Sequence, residues 1–225
     1  MQTQSLFLEL ITNINIIFYI LAYLVGGIPS GLFLAKIFGN VDIRKVGSGS
    51  IGATNVYRAL KDVIEPKKAK IISFITLISD ALKGLIVVLL AKIFGLNYDV
   101  QWMIAILCVF AHCYSPYLNF TGGKGVSTAI GSVILLMPIE GILGLIVWGV
   151  VGKVFKVSSL SSLLGVLSGI GFTFIIPYVF PLPHFISIVD EIGTHTPAVV
   201  IAIIILYTHI PNIVRLFKGE EKKVL

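Results

Sequence analysis

The chain has 225 residues, of which 56% are hydrophobic and 12% charged, with a mean hydropathy of +0.99. Soluble domains carry roughly 25% charge, so a soluble nucleic-acid binder, a disordered tail and a disulfide scaffold are excluded, and a single polytopic membrane domain over residues 1–225 is expected. Seventeen Lys and Arg against eleven Asp and Glu give +6, and in so apolar a chain the position of the charges is more informative than their sum.

A helical span needs about 20 mostly apolar residues. The stretch before Ile14 has no Lys or Arg. A cleaved secretory signal begins with a basic region, so residues 14–38 read as a retained first span. Further spans are expected over residues 71–95, 101–120, 158–180 and 197–216. Cys108 and Cys113 share one apolar stretch and read as small buried hydrophobes, since metal sites need more ligands at tighter spacing. The apolar tract 126–154 is too long for one helix and is interrupted by Pro138 and Glu140. It is expected to form two short helices of about 20 Å each, turning at that break, which makes seven spans. A re-entrant hairpin with five full spans is the alternative.

Basic residues set the orientation. Arg44, Lys45, Arg58, Lys61, Lys67, Lys68 and Lys70 lie between the first two spans, and Lys124 follows the third. Lys153 and Lys156 follow the fifth, and Lys218, Lys222 and Lys223 follow the last. Loops 96–100 and 181–196 have none. Basic loops stay cytoplasmic, so the N-terminus is expected outside and the C-terminus inside.

Three polar clusters reach the expected cytoplasmic face. The first, residues 47–58, places Gly47, Gly49 and Gly52 among Ser48, Ser50, Thr54 and Asn55 and ends on Arg58. Such a loop can be a flexible connection, or its N–H groups can converge on an anion, with the planar guanidinium suited to phosphate. The second is Gly122, Gly123, Lys124 and Gly125 at the start of the 126–154 tract, with His112 ten residues earlier. It is either a turn with a positive-inside lysine or a helix-start anion site. In the third, His209, Asn212 and Arg215 recur every three residues on one helical face, near a kink expected at Pro211. Asp80 and Lys83, at i and i+3 within the second span, read equally as a neutralising pair or a functional one. The clusters before residue 219 contain no carboxylate to hold Mg²⁺, so neither a metal nor a cofactor is expected. The soluble-type glycerolipid acyltransferase pattern His-x-x-x-x-Asp is absent, because Tyr117, Val189, Val200 and Val214 follow the four histidines at that spacing.

These motifs resemble the bacterial acyl-phosphate:glycerol-3-phosphate acyltransferase family, PlsY. The resemblance covers nearly the whole chain, through residues 47–58, 122–126 and 209–221, with Asp80-Ala81-Leu82-Lys83-Gly84 as a further family-like segment. Ser50, Ile210 and Thr121 depart from the usual Asn, Arg and Lys. The resemblance implies acyl transfer from acyl phosphate to the 1-hydroxyl of glycerol 3-phosphate at the cytoplasmic side of the bacterial inner membrane. It implies catalytic roles for Ser48, Arg58, His209 and Asn212. Substrate-binding roles are implied for Gly49, Gly52, Thr54, Asn55, His112, Gly122, Gly123, Lys124, Gly125 and Arg215. The partners expected are the two substrates and the bilayer; oligomeric state is left open. The competing class is a transporter of phosphorylated metabolites, whose site would lie near the midplane between repeated halves.

Overall fold

The computed structural model describes residues 12–223, and apart from an isolated bridge between Ser115 and Thr121 those residues form helices, turns and loops. The expectation for the basic-free N-terminus concerns residues 1–11, which lie outside the described ones. Helices α1 (Ile14–Gly26) and α2 (Ser30–Gly39) form one interrupted run of 26 residues. Pro29 has no N–H and disfavours a helical residue before it, so the ladder breaks at residues 27–29. Helix α3 (Ala53–Leu60) is followed by α4 (Pro66–Ile93), whose 28 residues extend about 42 Å at 1.5 Å per residue. Val56, Ala59 and Leu60 of α3 pack with Ile43, Ile51 and Ile72 in a small cluster that seats the 46–52 loop on α2 and α4.

The remaining helices are α5 (Tyr98–Cys113), α6 (Val126–Val133), α7 (Pro138–Phe155), α8 (Ser158–Thr173), α9 (Ile176–Val179), α10 (Ile188–Ile192), α11 (Thr196–Thr208) and α12 (Ile210–Phe217). Among the described residues, four runs are long and apolar enough to cross a membrane: Ile14–Gly39, Pro66–Ile93, Pro138–Phe155 and Ser158–Val179. The pair α11 and α12, bent by 62°, makes five.

Several expected boundaries move. The tract 126–154 does not divide into equal halves, since α6 has 8 residues and α7 has 18. Pro138 starts α7 rather than interrupting a helix, because in the first turn its missing N–H has no partner to lose. Glu140 lies in the same turn, where the helix dipole favours an acid. The turn itself is residues 134–137. The third span ends at Cys113, short of 120. Pro116 follows, and Asn119 and Phe120 take left-handed φ values of 51° and 57°. The last run breaks at His209, with Pro211 in the first turn of α12.

Close helix packing depends on glycine. Helices α7 and α8 form the most extensive contact, with Gly144 against Gly165 and Gly169, the small-residue spacing that lets membrane helices approach. On α6, a Cβ at Gly131 would be driven into the Ala81 carbonyl of α4. Gly131→Ala is therefore expected to destabilise the protein by the roughly 1–3 kcal/mol typical of overpacking, read as a lower melting temperature in detergent. Gly149, whose Cβ would meet nothing within 4 Å, is the control. Gly149→Ala should be neutral or stabilising by up to about 1 kcal/mol of helix propensity, with the melting temperature unchanged or raised. Equal effects would remove the steric account.

Candidate active site

The 46–52 loop is organised by Asn55, which is 2% exposed. Its two Nδ2 protons are shared among the carbonyls of Ile43, Val46 and Ser50 at 2.8–3.0 Å, and its Oδ1 accepts from the Ser48 N–H at 3.0 Å. Gly47 and Gly49 hold φ values of 61° and 72°, and a side chain at Gly47 would collide with the Asn55 Oδ1. The loop is thus a rigid built turn rather than a flexible connection. Ser48 and Arg58 line the same cavity, and the Arg58 guanidinium donates to the Lys222 carbonyl at 3.3 Å. The Asn55 amide is committed to the loop, which makes Asn55 its organiser. Thr54 Oγ1 pairs with Ser158 Oγ at 2.9 Å.

The second loop is clamped to the end of α5. Gly123 N–H donates to the His112 carbonyl at 3.0 Å, and the single proton of Thr208 Oγ1 is shared between the Ile205 carbonyl at 2.9 Å and the Lys124 carbonyl at 3.2 Å. Gly122 and Gly123 both lie where a Cβ would strike His112. Gly125, at φ 82°, turns the chain into α6. Burial pushes the Lys124 ammonium down to about 8; Glu221 opposes that shift, while Arg215 and Arg58 reinforce it.

At the α11–α12 bend, His209 is 2% exposed, and its Nδ1 lies 2.8 Å from the Ile205 carbonyl. A carbonyl only accepts, so Nδ1 carries the proton, and in the neutral ring Nε2 is left as an acceptor. Glu221 gathers the neighbouring donors. Its Oε1 accepts from Ser159 at 2.8 Å and Asn212 at 2.7 Å, and its Oε2 from Arg215 at 2.6 Å. Burial would raise the Glu221 carboxyl, but the hydrogen bonds from Asn212, Arg215 and Ser159 outweigh it and hold it below its ordinary value.

The three clusters line one cavity. Its mouth carries Ser48, Gly52, Thr54, Asn55, Arg58, Lys124, Gly125, His209, Asn212 and Glu221, and His112 also lines it. The rest of the cavity wall is mostly apolar, formed by Ala129, Ile130 and Val133, Leu145 and Trp148, Val166 and Ile170, and Ile201 and Ile205, with the buried Glu140 among them. Gly49, Gly122, Gly123 and Arg215 were expected at the site but are not among its lining residues. Gly122 and Gly123 shape the loop behind it, and Arg215 turns to Glu221. Sequence reading missed Ser158, Ser159, Ser162 and the central place of Glu221. The serines look like the polar start of an apolar span, and only folding brings Glu221 back onto α8. Among the described residues, no three His, Cys, Asp or Glu side chains converge as a metal-ligand group.

Comparison with known proteins fits this geometry. The family described as glycerol-3-phosphate acyltransferase matches residues 16–219. The glycerol-3-phosphate acyltransferase of Helicobacter hepaticus is 63% identical over 225 residues, covering 100% of both chains. That of Helicobacter pylori is 53% identical over 218 residues, covering 97% of this chain and 98% of its own. The crystal structure of PlsY (YgiH), an integral membrane glycerol 3-phosphate acyltransferase, in its glycerol 3-phosphate form superposes with a TM-score of 0.78 at 33% identity, over 93% of this chain and 94% of that one. Its lysophosphatidic acid form gives 0.74 at 34% identity, with the same coverage. With its motifs, fold and full-length relatives in agreement, the chain belongs to the glycerol-3-phosphate acyltransferase family of multi-pass membrane enzymes.

Proposed function

We propose that this enzyme transfers a fatty acyl group from acyl phosphate to the 1-hydroxyl of glycerol 3-phosphate, giving lysophosphatidic acid and phosphate. One observation carries this reading: a mouth holding Arg58 and Lys124 is continuous with a mostly apolar cavity wall. An acyl phosphate needs both environments at once, cations for its head and hydrocarbon for its tail. In the proposed arrangement, Ser48 and Arg58 hold the acyl phosphate head, with the guanidinium fork matched to phosphate oxygens. Lys124 and the 122–125 loop hold the phosphate of glycerol 3-phosphate, next to the start of α6. His209, with Nε2 an acceptor, orients the glycerol hydroxyl together with Asn212. The test is conversion of labelled glycerol 3-phosphate to lysophosphatidic acid by purified protein given acyl phosphate alone as donor. Absence of product with folded protein would sink the assignment.

The chemistry proposed is direct transfer. The 1-hydroxyl oxygen attacks the acyl carbon, the bond from that carbon to the phosphate oxygen breaks, and the hydroxyl proton passes to the departing phosphate. A phosphate with a second pKa of about 6 can accept it near neutral pH. A mixed anhydride is already activated, so positioning and electrostatic stabilisation supply the catalysis. No acyl-enzyme should therefore accumulate when protein and radiolabelled acyl phosphate are mixed without acceptor. A stoichiometric, chemically competent ester on Ser48 would replace direct transfer with a Ser48 nucleophile.

Lys124 gives the site a pH signature. Its ammonium, lowered to about 8, is charged below that value and neutral above it. Affinity for glycerol 3-phosphate should therefore fall as pH rises through about 8. It should also fall below about 6, where the substrate phosphate loses its second charge. Lys124→Arg, charged throughout, should lose the alkaline decline, and Lys124→Ala should raise KM for glycerol 3-phosphate or abolish turnover. A wild-type KM that stays flat through pH 9 would mean that Lys124 keeps its charge there, and an unchanged KM in Lys124→Ala would remove it from the phosphate site.

The proposed topology has seven membrane segments: residues 14–39, 66–93, 98–113, 126–133, 138–155, 158–179 and 196–217. The N-terminus is outside, and the mouth opens to the cytoplasm of the inner membrane. The charge asymmetry of the loops supports it. In a background lacking the buried Cys108 and Cys113, Asp99→Cys and Phe185→Cys should react with an impermeant thiol reagent on intact cells. Lys61→Cys should react only after permeabilisation. The reverse pattern would invert the orientation.

A further inference from the structure

Asp80, Lys83 and His112 are 2%, 6% and 4% exposed and form a polar cluster that the proposed transfer does not use. Lys83 Nζ donates to the Ile28 carbonyl and to Asp80 Oδ1, each at 3.0 Å, and lies 2.7 Å from His112 Nδ1. An ammonium has three donors and no acceptor, so three contacts use all of its protons. His112 Nδ1 is then an acceptor. Asp80 Oδ1 lies 3.7 Å from that nitrogen, too far to receive a hydrogen bond from it. An imidazole whose Nδ1 accepts carries its proton on Nε2. Nε2 is the nitrogen that faces the second loop, since a Cβ at Gly123 would be driven into it. His112 also lines the cavity.

We propose that Lys83, anchored by Asp80 and the Ile28 carbonyl, is a positioning residue that locks His112 as an Nε2–H donor aimed at the anion bound by the 122–125 loop. On the reading above, that anion is the phosphate of glycerol 3-phosphate, and the inference rests on that assignment. The two buried histidines then have opposite polarity. His209 gives its Nδ1 proton to Ile205 and offers an acceptor, whereas His112 accepts from Lys83 and offers a donor. A donor suits a phosphate and an acceptor suits a hydroxyl, the two functional ends of the same substrate.

The test uses the full chain in detergent with ¹⁵N-labelled histidine, the His112 signals being assigned by their loss in His112→Gln. Wild-type protein should show His112 Nε2 protonated and Nδ1 unprotonated. Asp80→Asn combined with Lys83→Met removes both charges together, so neither is left buried alone. In that variant the nitrogens should drift toward tautomer averaging. KM for glycerol 3-phosphate should rise about tenfold or more, the loss carried by one charge-assisted hydrogen bond, while KM for acyl phosphate stays within about twofold. Asp80→Asn combined with Lys83→Leu is the second variant, again leaving no charge buried alone and no donor to Nδ1, with the same expected split. A protonated Nδ1 in the wild type, or parallel changes in both KM values, would overturn the proposal. A wild-type enzyme inert toward acyl phosphate would instead defeat the functional reading, while the nitrogen spectrum still decides the tautomer.

Discussion

In hydrocarbon there is no water to pair with a free backbone carbonyl, so a membrane helix can break only where the protein supplies partners. This chain breaks its helices at several points, and the breaks build the site. At residues 27–29, the Gly27 carbonyl accepts from Ser115 Oγ at 2.6 Å and the Ile28 carbonyl accepts from Lys83. At the α6–α7 turn, the Leu135 carbonyl accepts from Lys92 at 2.8 Å. At the α11–α12 bend, the Ile205 carbonyl accepts from His209. The first of these partners also ties the 114–125 loop to α1, and the last is a residue of the cavity itself.

Such breaks explain how a polar mouth forms without an exposed loop hanging in the bilayer. The 114–125 loop is held from one side by the interrupted first run and from another by Thr208, so the glycine turn carrying Lys124 has fixed geometry. Lys83 and Asp80 are part of the same scaffold. A buried ion pair that loses one partner leaves an uncompensated charge, at a typical cost of about 3–5 kcal/mol. Pairing therefore constrains both residues to persist together and fixes the spacing of α4 against the end of α5.

Electrostatics at the mouth has one centre. Glu221 receives hydrogen bonds from Ser159, Asn212 and Arg215, tying the C-terminal segment to α8 and α12. Its charge is paired with that of Arg215 at 2.6 Å, while Lys124 and Arg58 line the cavity as cations for anionic substrates. The rest of the wall is mostly apolar, and glycines on α7 and α8 let those helices close along the cavity. One cavity thus holds both cationic and hydrocarbon-like surroundings.

By itself, the sequence determined the helical membrane class, the order of the apolar runs, the three glycine-and-cation motifs and the family. These features are local: hydropathy over about 20 residues, the Gly spacing around Ser48 and Lys124, and the three-residue recurrence of His209, Asn212 and Arg215. Helix lengths and partnerships were settled by tertiary structure. Pro138 proved to be a helix start because a first-turn proline loses no hydrogen bond, and Cys113 ended α5 because the following loop pairs with residues far away in the chain. Asn55 read as a ligand from its motif, yet its amide closes the loop around itself. Glu221 ends the third motif in the sequence, and only the fold shows that it joins residues 62, 9 and 6 positions away. Such roles depend on which groups share a low-dielectric pocket, and the one-dimensional pattern carries no record of that proximity.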